Sequence, residues 1–135
     1  MDKMRHSPVM SALRKLGLAA LVVVAWCPTL VSAKGPVDGV AAVALATLPA
    51  EARQTQRLIL SGGPFANTKD GVVFGNFERK LPRRERGFYR EYTVATPGSH
   101  DRGARRIVCG GRQPTRPDAC YYTADHYASF KLIAQ

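Results

Sequence analysis

An α+β domain, with one N-terminal helix packed on a sheet of three to five antiparallel strands, is the fold this sequence predicts. Three observations carry it. Apolar residues recur at helical spacing from Leu48 to Leu60, Ser61-Gly62-Gly63-Pro64 ends that pattern, and the chain beyond Asp70 reads as short alternating strands set apart by turn residues. No internal repeat is present.

The helix starts at Thr47-Leu48-Pro49-Ala50-Glu51. Thr47 is placed to cap it, Pro49 suits the first turn, and Glu51 lies near the positive end of the dipole. Leu48, Ala52, Thr55, Leu58 and Ile59 then share one face. Residues 34–46 before it are rich in Gly and Ala and predict a loosely attached arm, with a short strand near residues 40–43. After the helix, Asp70-Gly71 is a turn and residues 72–74 a short strand. Residues 77–87 are polar, basic and interrupted by Pro82, hence a loop. Residues 88–95 alternate and are rich in Tyr, Thr and Val, hence a strand, which Thr96-Pro97-Gly98 turns. Further strands are predicted over 104–110, 120–124 and 129–133, with a proline-bearing loop over 111–119.

The chain has 135 residues, and the first 33 have the layout of a secretory signal peptide. Lys3, Arg5, Arg14 and Lys15 give a positive start. Leu16 to Trp26 is an apolar run of 11 residues, short of the roughly 20 that a membrane span needs. Val31-Ser32-Ala33 supplies small residues for cleavage after Ala33. An anchor helix is the competing reading, but no stop-transfer pattern follows. Bulky Trp26 ahead of Cys27 argues against a lipid attachment site. Three segments are therefore expected: the signal peptide over 1–33, the arm over 34–46, and one domain with a single modest core over 47–135.

The mature part carries 16 Lys and Arg against 9 Asp and Glu, a net charge of +7. A small, basic, exported domain suggests a polyanionic partner: nucleic acid, anionic lipid or acidic polysaccharide. Solubility alone is the plainer explanation, and charge does not choose between them. Signal cleavage leaves Cys109 and Cys120, an even count that reads as one disulfide in an exported chain. Two cysteines without histidines at ligand spacing argue against a zinc site.

Side-chain parity places the chemistry. Tyr89, Glu91 and Thr93 share one strand face; on the next strand Ile107 and Cys109 look like core, so Arg106 faces away from the helix and Glu91 can join it on an open face. Arg105 points the other way. A strand carboxylate, the arginines Arg102 and Arg106, and a downstream histidine, His126, are a sufficient set for cleaving RNA without a metal or a cofactor. The ribose 2′-OH must lose a proton to a base, the leaving 5′-oxygen must gain one from an acid, and guanidinium groups can stabilise the charge gathering on phosphorus. Glu91 fits the base, His126 the acid and the two arginines the clamp, with a carboxylate near His126 expected to favour its protonated form. Each residue also has a plainer reading. Glu91 beside arginines can be a surface ion pair, His126 after Asp125 a turn residue, and the arginines a solvated face. His100, in Ser99-His100-Asp101, is a rival acid.

Several blocks of the chain, in order and at near-constant spacing, resemble the microbial guanyl-specific ribonucleases, the family of barnase and the streptomycete extracellular enzymes. They include Ser61-Gly62-Gly63-Pro64-Phe65, Asp70-Gly71-Val72-Val73-Phe74, Asn76-Phe77-Glu78, Tyr89-Arg90-Glu91-Tyr92-Thr93-Val94, Arg102-Gly103-Ala104-Arg105-Arg106-Ile107 and Tyr121-Tyr122-Thr123-Ala124-Asp125-His126-Tyr127. The resemblance covers about Leu48 to Ile133. It implies a secreted endoribonuclease that cuts single-stranded RNA by transesterification to a 2′,3′-cyclic phosphate, then hydrolyses this to a 3′-phosphate. Glu91 stands at the family's base, His126 at its acid, and Arg102 and Arg106 at its phosphate-binding arginines. Glu78 stands where a carboxylate takes the two N–H donors of guanine, Asn76 and Phe77 where backbone N–H groups meet guanine O6, and Phe74 where a ring stacks on the base. Tyr127 lies beside the acid. The plainer reading of this stretch makes Phe74 core and Glu78 a solvated loop residue.

The sequence departs from the family at four places. Phe77 stands where the streptomycete members have Arg. Gly75 lacks a side chain that some members carry. The loop over 111–119 is longer than in the compact members, and a Cys109–Cys120 bridge is not their disulfide. A monomer is expected, and the resemblance further implies a small acidic, barstar-like inhibitor protein that plugs the arginine cluster. The alternative class is a non-catalytic basic protein that binds polyanions.

Overall fold

The computed structural model describes residues 39–135, so the signal-peptide expectation lies outside the described residues. Its elements in order are β1 (Ala42–Ala44), a short 3-10 turn (Leu45–Thr47), α1 (Ala50–Ser61), β2 (Val72–Val73), β3 (Tyr89–Thr93), β4 (Arg106–Gly110), β5 (Ala119–Thr123) and β6 (Lys131–Ala134). The class is α+β as the sequence predicts. The sheet is larger, with six strands in the order β1-β6-β5-β4-β3-β2, and it is mixed, since β1 runs parallel to β6. The described part of the arm, residues 39–46, is thereby tied down: Ala42 and Ala44 face Leu132 and Ala134 across the ladder, and Leu132 N donates to Ala41 O at 2.8 Å.

The helix begins later than its capping signal suggests. Thr47 closes the 3-10 turn instead, its hydroxyl donating to Ala44 O at 2.8 Å, and Pro49 occupies the N-cap position without a side-chain bond. At the other end the prediction holds. Gly62 adopts φ 80, which lets Gly62 N reach Ile59 O and Gly63 N reach Leu58 O at 2.8 Å. Ala52, Thr55, Gln56 and Ile59 form the buried helix face. It packs on the sheet face made by Tyr92, Val94, Ile107 and Tyr122, and Thr55 Oγ1 donates to Thr93 O at 3.1 Å.

Cys109 and Cys120 sit opposite one another on β4 and β5 and form a cross-strand disulfide on this helix-facing side. Pairing of Glu91 with Val108, and of Thr93 with Arg106, puts all four on the other face. That face is less open than parity alone suggests. Tyr89, Val108 and Tyr121 carry a second cluster on it, covered by Leu81 from the basic loop, and the Tyr89 hydroxyl donates to Pro82 O at 2.7 Å. The loop folds back because Leu81 gains burial and Asn76 satisfies its backbone, donating to Leu81 O at 2.9 Å and accepting from Leu81 N at 3.1 Å. The polar site therefore occupies one end of this face, beside an apolar floor.

Candidate active site

Glu91 projects from the middle of β3 with its side chain 13% exposed and two donors aimed at it. Arg102 Nη2 meets Oε1 at 3.1 Å, and the Tyr127 hydroxyl donates to Oε2 at 2.7 Å. Burial, reinforced by the hydrogen bond to Glu91, pushes the Tyr127 phenol up to about 12, so it stays protonated and a donor at neutral pH.

Arg102 is gripped from behind. Its Nε donates to Thr93 Oγ1 at 2.7 Å, and its guanidinium lies 3.7 Å from Asp70. Asp70 is itself nearly buried and accepts from both Thr93 N and Thr93 Oγ1 at 2.7 Å. Arg106 is 2% exposed and reaches inward from β4. Its Nη1 donates to the carbonyls of Gly103 and Arg105 at 2.8 Å, curling the 102–105 segment around it. The same guanidinium lies near enough to the Tyr127 phenol to oppose part of that upward shift. Arg105 lies on the helix side of the sheet, near enough to Tyr122 to act on its phenol.

His126 stands on the rim, exposed, with its ring 4.8 Å from that of Tyr127. Its backbone N donates to Ala104 O at 3.0 Å, which fastens this turn to the arginine segment. His126 and Tyr127 both lie in the left-handed region, at φ 52 and φ 71. Two consecutive non-glycine residues there are uncommon, and such backbone tends to gather where side chains must be aimed. The expected carboxylate partner for His126 is not its neighbour. Asp125 turns instead to Ser129 Oγ at 2.6 Å, Ser129 N at 2.8 Å and Thr123 Oγ1 at 2.9 Å, bonds that pull its carboxyl down to about 2. His100 stays in the exposed loop before Arg102; the partners of Glu91 among the described residues are Arg102 and Tyr127.

A cleft of about 150 Å³ adjoins this cluster, bounded by Phe74, Asn76, Phe77, Glu78, Lys80, Tyr127 and Phe130. Tyr127 joins the two, its ring 5.1 Å from Phe74 while its hydroxyl holds Glu91. Glu78 stands at the edge, exposed and 3.3 Å from Lys80. Asn76 adopts φ 47, and its side chain is occupied with Leu81. The backbone N–H groups of Asn76 and Phe77 meet no protein acceptor among the described residues and can serve a ligand. Phe77 is 94% exposed, with its ring over Gly75; a Cβ at Gly75 would lie 2.4 Å from Phe77 Cε2. The two departures at positions 75 and 77 are thus one packing unit, a bare glycine that makes room for a phenyl ring.

Tyr127 is the hub of this region: its hydroxyl holds Glu91, its ring meets those of His126 and Phe74, and it lines the cleft that Glu78 edges. Asp70 and Thr93 are the residues that sequence reasoning missed. Asp70-Gly71 signals a turn, and nothing local reveals that the carboxylate is used by Thr93, 23 positions away. Chemically, the arrangement offers one carboxylate for proton abstraction, two fixed cations for an anion, and an exposed imidazole.

A family model described as ribonuclease matches residues 32–134. The curated guanyl-specific ribonuclease Sa of Kitasatospora aureofaciens is 54% identical over 93 residues, covering 69% of this chain and 93% of that protein. Guanyl-specific ribonuclease St of Saccharopolyspora erythraea is 48% identical over 98 residues, or 73% and 92%. A solved structure of ribonuclease Sa2 with guanosine-2′-cyclophosphate superposes with a TM-score of 0.64 at 44% identity, covering 70% of this chain and 96% of that one.

Proposed function

We propose, from the premise that this chain belongs to the ribonuclease family, that it is a guanyl-preferring endoribonuclease acting on single-stranded RNA through a 2′,3′-cyclic phosphate. The observation that carries the proposal is Glu91, a nearly buried strand carboxylate held between Arg102 and the Tyr127 phenol. An ion pair made only for the surface would not have its carboxylate 13% exposed with a phenol hydroxyl held on its second oxygen.

In the first step Glu91 takes the proton of the ribose 2′-OH as that oxygen attacks phosphorus. Arg102 and Arg106 hold the phosphoryl oxygens, and their charge is worth most as the phosphorane forms. The bond to the 5′-oxygen breaks and His126 supplies its proton, leaving the cyclic phosphate. In the second step His126 takes a proton from water as the water oxygen attacks phosphorus, the bond to the 2′-oxygen breaks with a proton supplied by Glu91, and a 3′-phosphate remains. Tyr127 keeps the carboxylate aimed while its ring carries the imidazole.

Guanine selectivity rests on the neighbouring cleft. Glu78 accepts from N1–H and the N2 amino group, the backbone N–H groups of Asn76 and Phe77 donate to O6, and Phe74 stacks on the ring system. Adenine would present the wrong pattern on that edge. Residues 1–33 direct export in this reading. The arginine cluster is the surface on which a small acidic inhibitor would bind, and the enzyme acts as a monomer.

The test is a time course on the dinucleoside monophosphates GpC and ApC. Guanosine 2′,3′-cyclic phosphate should appear first and 3′-GMP later, with ApC consumed far more slowly. Equal consumption of the two would remove the guanine preference, and no consumption of either would return the chain to the class of non-catalytic polyanion binders.

A further inference from the structure

The largest cleft among the described pockets is not the one beside Glu91. It holds about 640 Å³ on the other side of the Phe74–Phe77 wall, bounded by Val73, Gly75, Tyr89 and the basic loop. Four arginines line it, Arg79, Arg83, Arg84 and Arg86, against one carboxylate, Glu85. All four are exposed, and none has an ion-pair partner among the described residues. Arg84 instead lies over the Phe88 ring at 5.6 Å. Unpaired guanidinium groups held together repel one another and are stabilised by a bound polyanion.

The wall itself is shared. Phe74, Asn76 and Phe77 bound both clefts, and the Phe77 ring, lying on Gly75, is presented almost wholly to solvent between them. An exposed ring beside a basic groove is the combination that binds single-stranded nucleic acid, the ring by stacking and the cations by phosphate contact.

We propose that this arginine-lined cleft is a second RNA subsite, which takes the backbone of nucleotides flanking the guanosine that is cut, with Phe77 stacking on a neighbouring base. The inference rests on the ribonuclease reading of the adjacent site. RNA fits better than an anionic membrane because the cleft is concave and opens on the same wall as the base cleft, whereas a bilayer would need a flat or protruding basic face. The subsite would favour long chains over minimal substrates and make binding depend on salt.

The experiment compares wild type, Arg83→Ala/Arg86→Ala, and a charge-matched control, Arg112→Ala/Arg116→Ala, whose arginines lie on the β4–β5 loop. Three readouts are taken: the ratio of kcat/KM on a 12-nucleotide RNA containing one guanosine to that on GpC, binding of the same RNA with 2′-deoxyguanosine at the cut site, and binding to phosphatidylglycerol vesicles. Each phosphate contact contributes about 0.7 to the salt slope for a single strand. Losing two should therefore lower both the ratio and the binding on the order of tenfold at low salt, with the gap closing as salt rises, while the control shifts them less than about twofold. A Phe77→Ala variant should also weaken the longer RNA more than GpC. Equal losses in the two double variants would overturn the subsite, as would a loss confined to binding of phosphatidylglycerol vesicles. If wild type cuts nothing, the ribonuclease reading fails on its own, and binding of the deoxyguanosine RNA still decides the subsite.

Discussion

Replacing Thr93 with Val removes one hydroxyl and leaves the strand, the branched side chain and every charged group of the site in place. That hydroxyl accepts from Arg102 Nε at 2.7 Å and donates to Asp70 Oδ1 at 2.7 Å. Hydrogen bonds to charged partners are worth about 1.5–3 kcal/mol each when buried. Thr93 is half-buried, and Asp70 keeps its bond from Thr93 N, so the pair together should cost about 2 kcal/mol of stability. For a domain of this size that lowers Tm by roughly 8–16 °C. The effect on chemistry is separate. Arg102 would keep Glu91 as a partner but lose the contact that fixes the direction of its guanidinium. Misplacing one phosphate cation by this much should lower kcat on GpC about tenfold, with KM changed less, because the clamp matters most when charge peaks on phosphorus. Thermal denaturation and steady-state kinetics at 25 °C measure the two effects independently. A Tm drop with kcat within twofold of wild type would refute the claim that Thr93 positions Arg102 and reduce it to a structural hydroxyl.

Other perturbations have equally definite outcomes. Glu91→Gln and His126→Ala should each lower kcat/KM on GpC by about 10²–10⁴-fold with the folded state intact by circular dichroism; a loss under tenfold in either would remove that residue from proton transfer. Cys109→Ala/Cys120→Ala opens a loop of sequence separation 11, which should cost about 2–3 kcal/mol in a denaturant titration, with kcat/KM at 25 °C preserved. Asp125 has its carboxyl pulled down to about 2 by Ser129 and Thr123. Its unfolded value is near 4, so the unfolded chain takes up the proton first, and the stabilising effect is complete above about pH 4 and lost as pH falls toward 2. Asp125→Asn should therefore flatten the acid limb of a Tm-against-pH curve in that window, and an unchanged limb would contradict the assignment. The proposed reaction moves protons through Glu91 and His126 and stabilises phosphorane charge with Arg102 and Arg106. Activity on GpC should survive dialysis against EDTA, and loss restored by a divalent cation would contradict the proposed chemistry.

Most of what positions the site can be read from the sequence because strands impose a period of two. Once residues 88–95 are taken as a strand, Glu91 and Thr93 must share a face, and Ile107 in the core forces Arg106 onto that face too. The observed pairing of Glu91 with Val108 and of Thr93 with Arg106 follows the same parity. The Gly62 stop is also legible, since the helix end needs a left-handed residue there. Thr47 shows the limit of a local signal. Its hydroxyl serves a 3-10 turn that the sequence did not announce, and the helix starts after Pro49. The parallel pairing of β1 with β6 joins segments about ninety residues apart through three small or apolar residues, which do not reveal their partner. Asp70 and the Leu81 cover are hidden for the same reason, because both depend on contacts between distant segments. The roles proposed for Glu78 and Phe74 come from the resemblance to known ribonucleases; composition alone reads a core ring and a solvated carboxylate, and the ring does pack against the second cluster while the carboxylate stays exposed.

The most direct measurement of the central claim is sequencing of the ends produced when purified residues 34–135 act on a single-stranded RNA of mixed composition, with Glu91→Gln as the control. The expected result is 3′-ends at guanosine, carrying cyclic phosphate at early times and 3′-phosphate later, and few ends from the control. Ends spread evenly over the four bases would contradict the guanine cleft, and equal cutting by the Glu91→Gln protein would contradict the catalytic assignment itself.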